Sequence, residues 1–189
     1  MKLFLKLLGL LVGIPTVGTV LFFWWASAGT ADKQTYADTF AYDAPSATPQ
    51  DSYTIESYNI GYLSGLANNT TERPDQSLFT ANQEKAVAAL QAVNPDIVGF
   101  QEIDIEAKRS YGVNQVEALA KALGMRESAI AVNLDKNYHP FPYWPLSAHF
   151  GKIFSGQAII SRYPIENNCR FGLERVADKY FVFKAFYLD

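Results

Sequence analysis

The sequence predicts an α/β domain carried behind an N-terminal transmembrane helix. Three observations lead there: an apolar run from Leu3 to Ala28, a strand, helix, strand order between Tyr53 and Gln101, and a carboxylate, Glu102, directly after the second strand. Open α/β sheets hold their ligands at the C-terminal ends of parallel strands, so the third observation bears on function as well as fold.

The apolar run comes first. Leu7 to Trp25 carries no charge, and a bilayer span needs about 20 predominantly apolar residues. Lys2 and Lys6 lie at its start, so the positive-inside bias places the N-terminus in the cytoplasm and exports the rest to the periplasmic or extracellular side. Residues 1–28 also admit a second reading as a cleaved signal, because Ala26-Ser27-Ala28 before Gly29 has the small-x-small form of a processing site. The anchor is favoured. Signal h-regions run to about 7–15 residues, and Phe22-Phe23-Trp24-Trp25 resembles an interfacial aromatic belt.

Residues 29–50 are rich in Ala, Thr, Asp, Ser and Pro without apolar periodicity, which predicts a tether between anchor and domain. The domain is expected over residues 51–189. From Tyr53 to Ile60 the β-branched and aromatic content predicts a strand, with Ile55, Ser57 and Asn59 on one face and Glu56, Tyr58 and Ile60 on the other. Asn59 falls at its end. Gly61 to Ser77 is a polar loop. Thr80 is expected to cap the next helix with Gln83 as its capping-box partner, and Ala86, Leu90 and Val93 share one face at helical spacing. Asn94-Pro95 stops it.

Asp96 to Gln101 predicts a compact buried strand, so two parallel strands joined by a right-handed crossover are expected. A second helix is expected from Gly112 to Leu123, with Val116, Leu119, Ala120 and Leu123 inward and Gly124 just past its end. Ser128 to Val132 follows as a short strand. Asn133 to Ser155 reads as a long loop containing Pro140, Pro142 and Pro145 among many aromatics, which are expected to pack on the domain rather than to meet lipid. Gly156 to Ser161 and Tyr180 to Leu188 complete the expected strands.

Composition removes some functions. Sixteen Lys and Arg against 19 Asp and Glu give a net charge of −3, which offers no electrostatic footprint for duplex nucleic acid. Cys169 is the single cysteine, so an exported domain holds no internal disulfide and relies on packing.

Glu102 and Asn59 carry the chemistry. A carboxylate and an amide at the ends of neighbouring strands suit Mg²⁺, which takes one or two protein carboxylates and fills its other positions with water and phosphate oxygen. Three blocks extend the pattern: Ile55-Glu56-Ser57-Tyr58-Asn59-Ile60, Pro95-Asp96-Ile97-Val98-Gly99-Phe100-Gln101-Glu102, and Gly156-Gln157-Ala158-Ile159-Ile160-Ser161-Arg162-Tyr163-Pro164-Ile165. In order and spacing these resemble the endonuclease/exonuclease/phosphatase superfamily over about residues 52–189.

The resemblance implies the first part of a two-sheet, four-layer α/β sandwich that cleaves phosphate esters with Mg²⁺ or Mn²⁺. Carried over by position, it makes Glu102 a metal-coordinating carboxylate and gives Asn59 a part in orienting the metal shell or the scissile phosphate, with Gln101 supporting the site. The implied substrate is a phosphate ester, lipid or nucleotide, with nucleic acid less favoured. Members of the superfamily also place a catalytic His, an Asp-x-Asn pair and an Asp-His pair in their C-terminal half, and no such set occurs here. The expectation is therefore an N-terminal portion of the fold. His139 and His149, the two histidines, precede the Gly156 block and receive no catalytic role. The alternative is an inactive binding or assembly domain that keeps half of the fold.

Overall fold

In a computed structural model, residues 2–68 and 70–171 are described. The first element, α1 (Lys2–Ser27), is long and apolar enough to cross a membrane. Its large apolar side chains, among them Leu11, Ile14, Leu21 and Trp24, are exposed, and a helix that is apolar all round lacks the polar face of a soluble surface helix. Pro15 lies within the helix without ending it.

Five strands form one sheet: β1 (Thr39–Ala41), β2 (Ile55–Asn59), β3 (Ile97–Ala107), β4 (Glu127–His139) and β5 (Gly151–Ser161). Their spatial order is β1-β4-β5-β3-β2. β2 and β3 are parallel, with Ile55 opposite Ile97 and Asn59 opposite Gln101, whereas the other neighbours are antiparallel. Between β2 and β3 the chain passes through α2 (Gln76–Val93), as the strand, helix, strand order predicts. Asn94 ends that helix in the left-handed region at φ 55°, its N–H donating to the Leu90 carbonyl. The Pro95 that follows cannot continue a helix.

The helix α3 (Gln115–Ala122) starts on Asn114, whose Oδ1 accepts from the Glu117 N–H at 3.1 Å. It ends before Gly124, which adopts φ +62°. Val116, Leu119 and Ala120 face inward as expected. Together with Phe79, Ala86 and Leu90 of α2 they meet Val98, Phe100, Ile130, Val132, Ala158 and Ile160 of the sheet in one core. Pleating turns alternate residues the other way, and there Gly99, Gln101, Gln157 and Ile159 remain partly or fully exposed. One sheet face is thus covered by helices, and among the described residues the other carries no helix.

Several expectations need correction. The helix α2 begins at Gln76, not beside Thr80: Asp75 is its extended N-cap after Pro74, and the Thr80 hydroxyl instead donates back to the Gln76 carbonyl. The strand β3 continues five residues past Glu102, so this carboxylate is not at a strand terminus. The loop expected over Asn133 to Ser155 shrinks to Pro140–Phe150, because β4 and β5 are long partners paired out to His139 opposite Gly151. Residues 29–50 are not merely a tether. Lys33–Tyr36 forms a 3-10 turn with buried Tyr36, and β1 pairs with β4. Within the aromatic loop Phe141 and Phe150 pack on each other and on His139, whereas Tyr143 and Trp144 stand out, so the packing expectation holds for only part of it. The strand expected over Tyr180 to Leu188 lies outside the described residues.

Candidate functional site

Asn59 ends β2, and its Oδ1 accepts from the Gly61 N–H at 3.0 Å, a side-chain-closed turn that fixes the amide just past the strand. The Ile60 N–H donates to the Gln101 carbonyl at 3.1 Å and prolongs the ladder by one rung. The chain then enters two 3-10 turns, Gly61–Leu63 and Gly65–Ala67. Gly61, Tyr62, Leu63 and Gly65 all take positive φ, at 52°, 56°, 60° and 58°. Two of the four are not glycine, and each such residue costs about 1–2 kcal/mol.

Neighbouring elements hold this strained turn in place. Gln115 Nε2 of α3 donates to the Tyr62 carbonyl at 2.7 Å, Asn82 Nδ2 of α2 donates to the Leu63 carbonyl at 2.9 Å, and the Ser64 hydroxyl donates to the Gly61 carbonyl at 2.6 Å.

Glu102 sits in a β-bulge. Phe100 faces Ala158 and Ile103 faces Gly156, so Gln101 and Glu102 together oppose the one residue between those partners. At the bulge Glu102 adopts φ 51°. Bulges commonly re-aim side chains beside active sites, and a non-glycine residue in this region is strain that the surrounding structure must impose. The half-buried carboxylate accepts a hydrogen bond from Asn68 Nδ2 at 3.1 Å, which ties β3 to the strained turn. Gln101 turns instead to Ser57 Oγ, at 3.2 Å.

Directly below the bulge lies a buried ion pair. Asp104 is fully buried and takes Arg109 through both oxygens, at 3.1 and 2.8 Å, while the Asp104 N–H donates to Gln115 Oε1 at 2.9 Å. Gln115 thereby links the ion pair to Tyr62. The Arg109 guanidinium lies 3.3 Å from the centre of the Tyr62 ring. Burial opposes its charge, but the Asp104 carboxylate outweighs that cost and the pKa of Arg109 rises. Tyr62 is also pushed above its usual value, first by burial, with Arg109 pulling it down and Glu102 pushing it further up. Its phenol is therefore neutral at physiological pH.

Tyr62, Asn68 and Arg109 line a cleft with Arg73, His149 and Phe150 among others, with about 420 Å³ of empty space, part of it open to solvent; Glu102 adjoins it through Asn68, and neither Glu102 nor Asn59 lines it. His149 is engaged at both nitrogens, Nδ1 with the Tyr138 hydroxyl at 2.6 Å and Nε2 with the Tyr143 carbonyl at 3.3 Å. Among the described residues no group of three or more His, Cys, Asp or Glu side chains stands together. The candidate donors are one carboxylate, Glu102, and one amide, Asn59, which the register places opposite Gln101, the residue before Glu102. That fits part of a Mg²⁺ shell, since the ion needs few protein ligands and keeps several waters.

Asn68, Tyr62 and the Asp104–Arg109 pair were not singled out by the sequence. The available signal was the density of Gly61, Gly65, Asn68 and Asn69 in one loop, residues that favour unusual backbone angles.

The strain at Glu102 has a measurable consequence. Glycine relieves it and alanine does not, so Glu102→Gly should be more stable than Glu102→Ala by about 1 kcal/mol in denaturant unfolding. Equal stabilities would show the bulge to be unstrained.

Residues 57–181 match the Endonuclease/Exonuclease/phosphatase family. No curated protein and no solved structure matches the chain.

Proposed function

The chain belongs to the endonuclease/exonuclease/phosphatase family, and from that premise we propose a membrane-anchored, Mg²⁺-dependent phosphoester hydrolase that acts outside the cytoplasm. The observation that carries the reading is the bulge that fixes Glu102 in a left-handed conformation, bonded to Asn68 and one rung from Asn59. Glu102 would hold the ion, and Asn59 would orient either its shell or the scissile phosphate. A divalent ion there supplies charge opposite the phosphoryl oxygens and the leaving oxygen. Gln101, bonded to Ser57, keeps β2 and β3 in register beneath the site.

The open sheet face carrying Gly99 and Ile159 is where the second sheet of a complete sandwich would lie, bringing the remaining ligands. The substrate is a small or lipid phosphate ester rather than a nucleic acid duplex, in keeping with the net charge of −3. α1 spans the bilayer with Lys2 and Lys6 on the cytoplasmic side.

The test is Mg²⁺-dependent hydrolysis of bis-p-nitrophenyl phosphate by the vesicle-reconstituted chain. Glu102→Ala should lower it by about 10²-fold or more. Unchanged turnover would refute the site, and Mg²⁺ binding without turnover would favour the alternative of a binding domain.

A further inference from the structure

The segment after α1 is fastened to the far end of β4. Asp135 is fully buried, and its carboxylate accepts four hydrogen bonds, from the Thr30 N–H and hydroxyl, both at 2.7 Å, the Ala31 N–H at 3.0 Å and the Tyr36 hydroxyl at 2.9 Å. Asn137 holds the helix end itself. Its N–H donates to the Ala28 carbonyl at 3.0 Å and its Nδ2 to the Trp25 carbonyl at 3.1 Å. Phe22 and Trp25 pack on the Tyr138 ring, with centroids 5.6 and 6.5 Å away. Small residues are needed in this seam: Ala26 is wholly buried, and a Cβ on Gly29 would come within 2.8 Å of Asp135 Oδ2. Two of the small residues here, Ala26 and Gly29, thus have a packing reason independent of any processing enzyme.

Tyr138 continues the chain of contacts into the aromatic loop through His149, which reaches the Tyr143 carbonyl. Residues 140–150 carry no Asp, Glu, Lys or Arg. Tyr143, Trp144 and Leu146 stand out from it at 55, 73 and 64% exposure. The length of α1 fixes the level at which β4 meets it. Ring contacts between helix and domain begin at Phe22, and residues 3–21 rise about 28 Å at 1.5 Å per residue, close to the roughly 30 Å hydrocarbon core of a bilayer. The end of β4 therefore meets the helix where hydrocarbon gives way to headgroups, the layer in which exposed Trp and Tyr are favoured.

We propose that the Asp135 seam makes α1 and the domain one rigid body, and that this body seats the tip of the 140–150 loop in the interfacial layer of the bilayer that α1 crosses. The inference rests on the reading of α1 as a span. It places the cleft, bordered by His149 and Phe150 of the same loop, beside the membrane surface, where it would draw a phosphate ester from the lipid headgroup layer.

The experiment uses the full chain with Trp24→Phe and Trp25→Phe, which leaves Trp144 as its one tryptophan, in phosphatidylcholine vesicles with and without brominated acyl chains. Trp144 emission should be blue-shifted and quenched by bromine. Asp135→Ala should reduce the quenching. Because that variant risks misfolding, a flexible Gly-Ser insertion between Ser27 and Ala28, which leaves Asp135 and its donors in place, should reduce it as well.

Release of the chain from vesicles by alkaline carbonate would refute the span, and the inference with it. A chain that stays integral but shows no quenching of Trp144 would refute the inference alone. Quenching that survives both the substitution and the insertion would overturn the rigid seam.

Discussion

Replacing Gly156 with alanine will destabilise the domain by about 3 kcal/mol or more, at the upper end of what overpacking costs. β4 bulges at this level: Val132 faces Gly156 and Leu134 faces Ser155, so one extra residue of β4 is accommodated beside the glycine. The bulge presses backbone onto Gly156. A Cβ there would run into the Ala131 carbonyl and come within 2.8 Å of the Val132 Cα. Neither atom is the movable end of a side chain, and β5 is paired on both sides, so relief requires unpairing the sheet's centre. For a domain of this size such a loss lowers the Tm by roughly 10 °C. Gly99→Ala is the control. Its Cβ would meet only the Glu56 carbonyl oxygen, at 3.9 Å, and thermal unfolding should move little. Equal effects at both positions would show that the β4 bulge does not impose the glycine.

Arg109→Ala should cost about 3–5 kcal/mol, the range for removing one partner of a buried ion pair. The damage comes from what is left behind. Asp104 would keep its full burial without the guanidinium that now spans both of its oxygens. The double variant Asp104→Asn, Arg109→Ala should therefore be more stable than Arg109→Ala, and urea unfolding of the two checks this.

The β2, α2 and β3 unit was legible because its signals are local. Apolar spacing marks the helix, Asn94-Pro95 marks its end, and Ile97 to Phe100 is too short and too apolar for much else. The extension of β4 was not legible, because Asn133, Asp135, Lys136 and Asn137 look like loop until their partners are known. Asp135 is bonded to residues about a hundred positions earlier in the chain. No periodicity within a window reports such a contact. The error at Thr80 has a smaller cause, a plausible capping box inside a helix that Pro74 and Asp75 had already started.

At the candidate site, the sequence points to Asn59 and Glu102, but the geometry that sets Glu102 is hidden in it. Bulge residues with positive φ are usually glycine, and a glutamate there gives no local sign. Asn68 was visible only as part of a polar loop, since its value lies in one contact across 34 residues.

The Asp135 seam also decides where the protein can be cut. A soluble form that starts at Asp51, where composition suggests the domain begins, would discard Thr30, Ala31 and Tyr36 and leave a buried carboxylate with none of the four donors described above. It would also strip β1 from the edge of β4. A form that starts at Gly29 keeps both. For expression, protease mapping or crystallisation, a piece that keeps the Asp135 donors thus begins just after the apolar helix, some twenty residues earlier than the composition suggests.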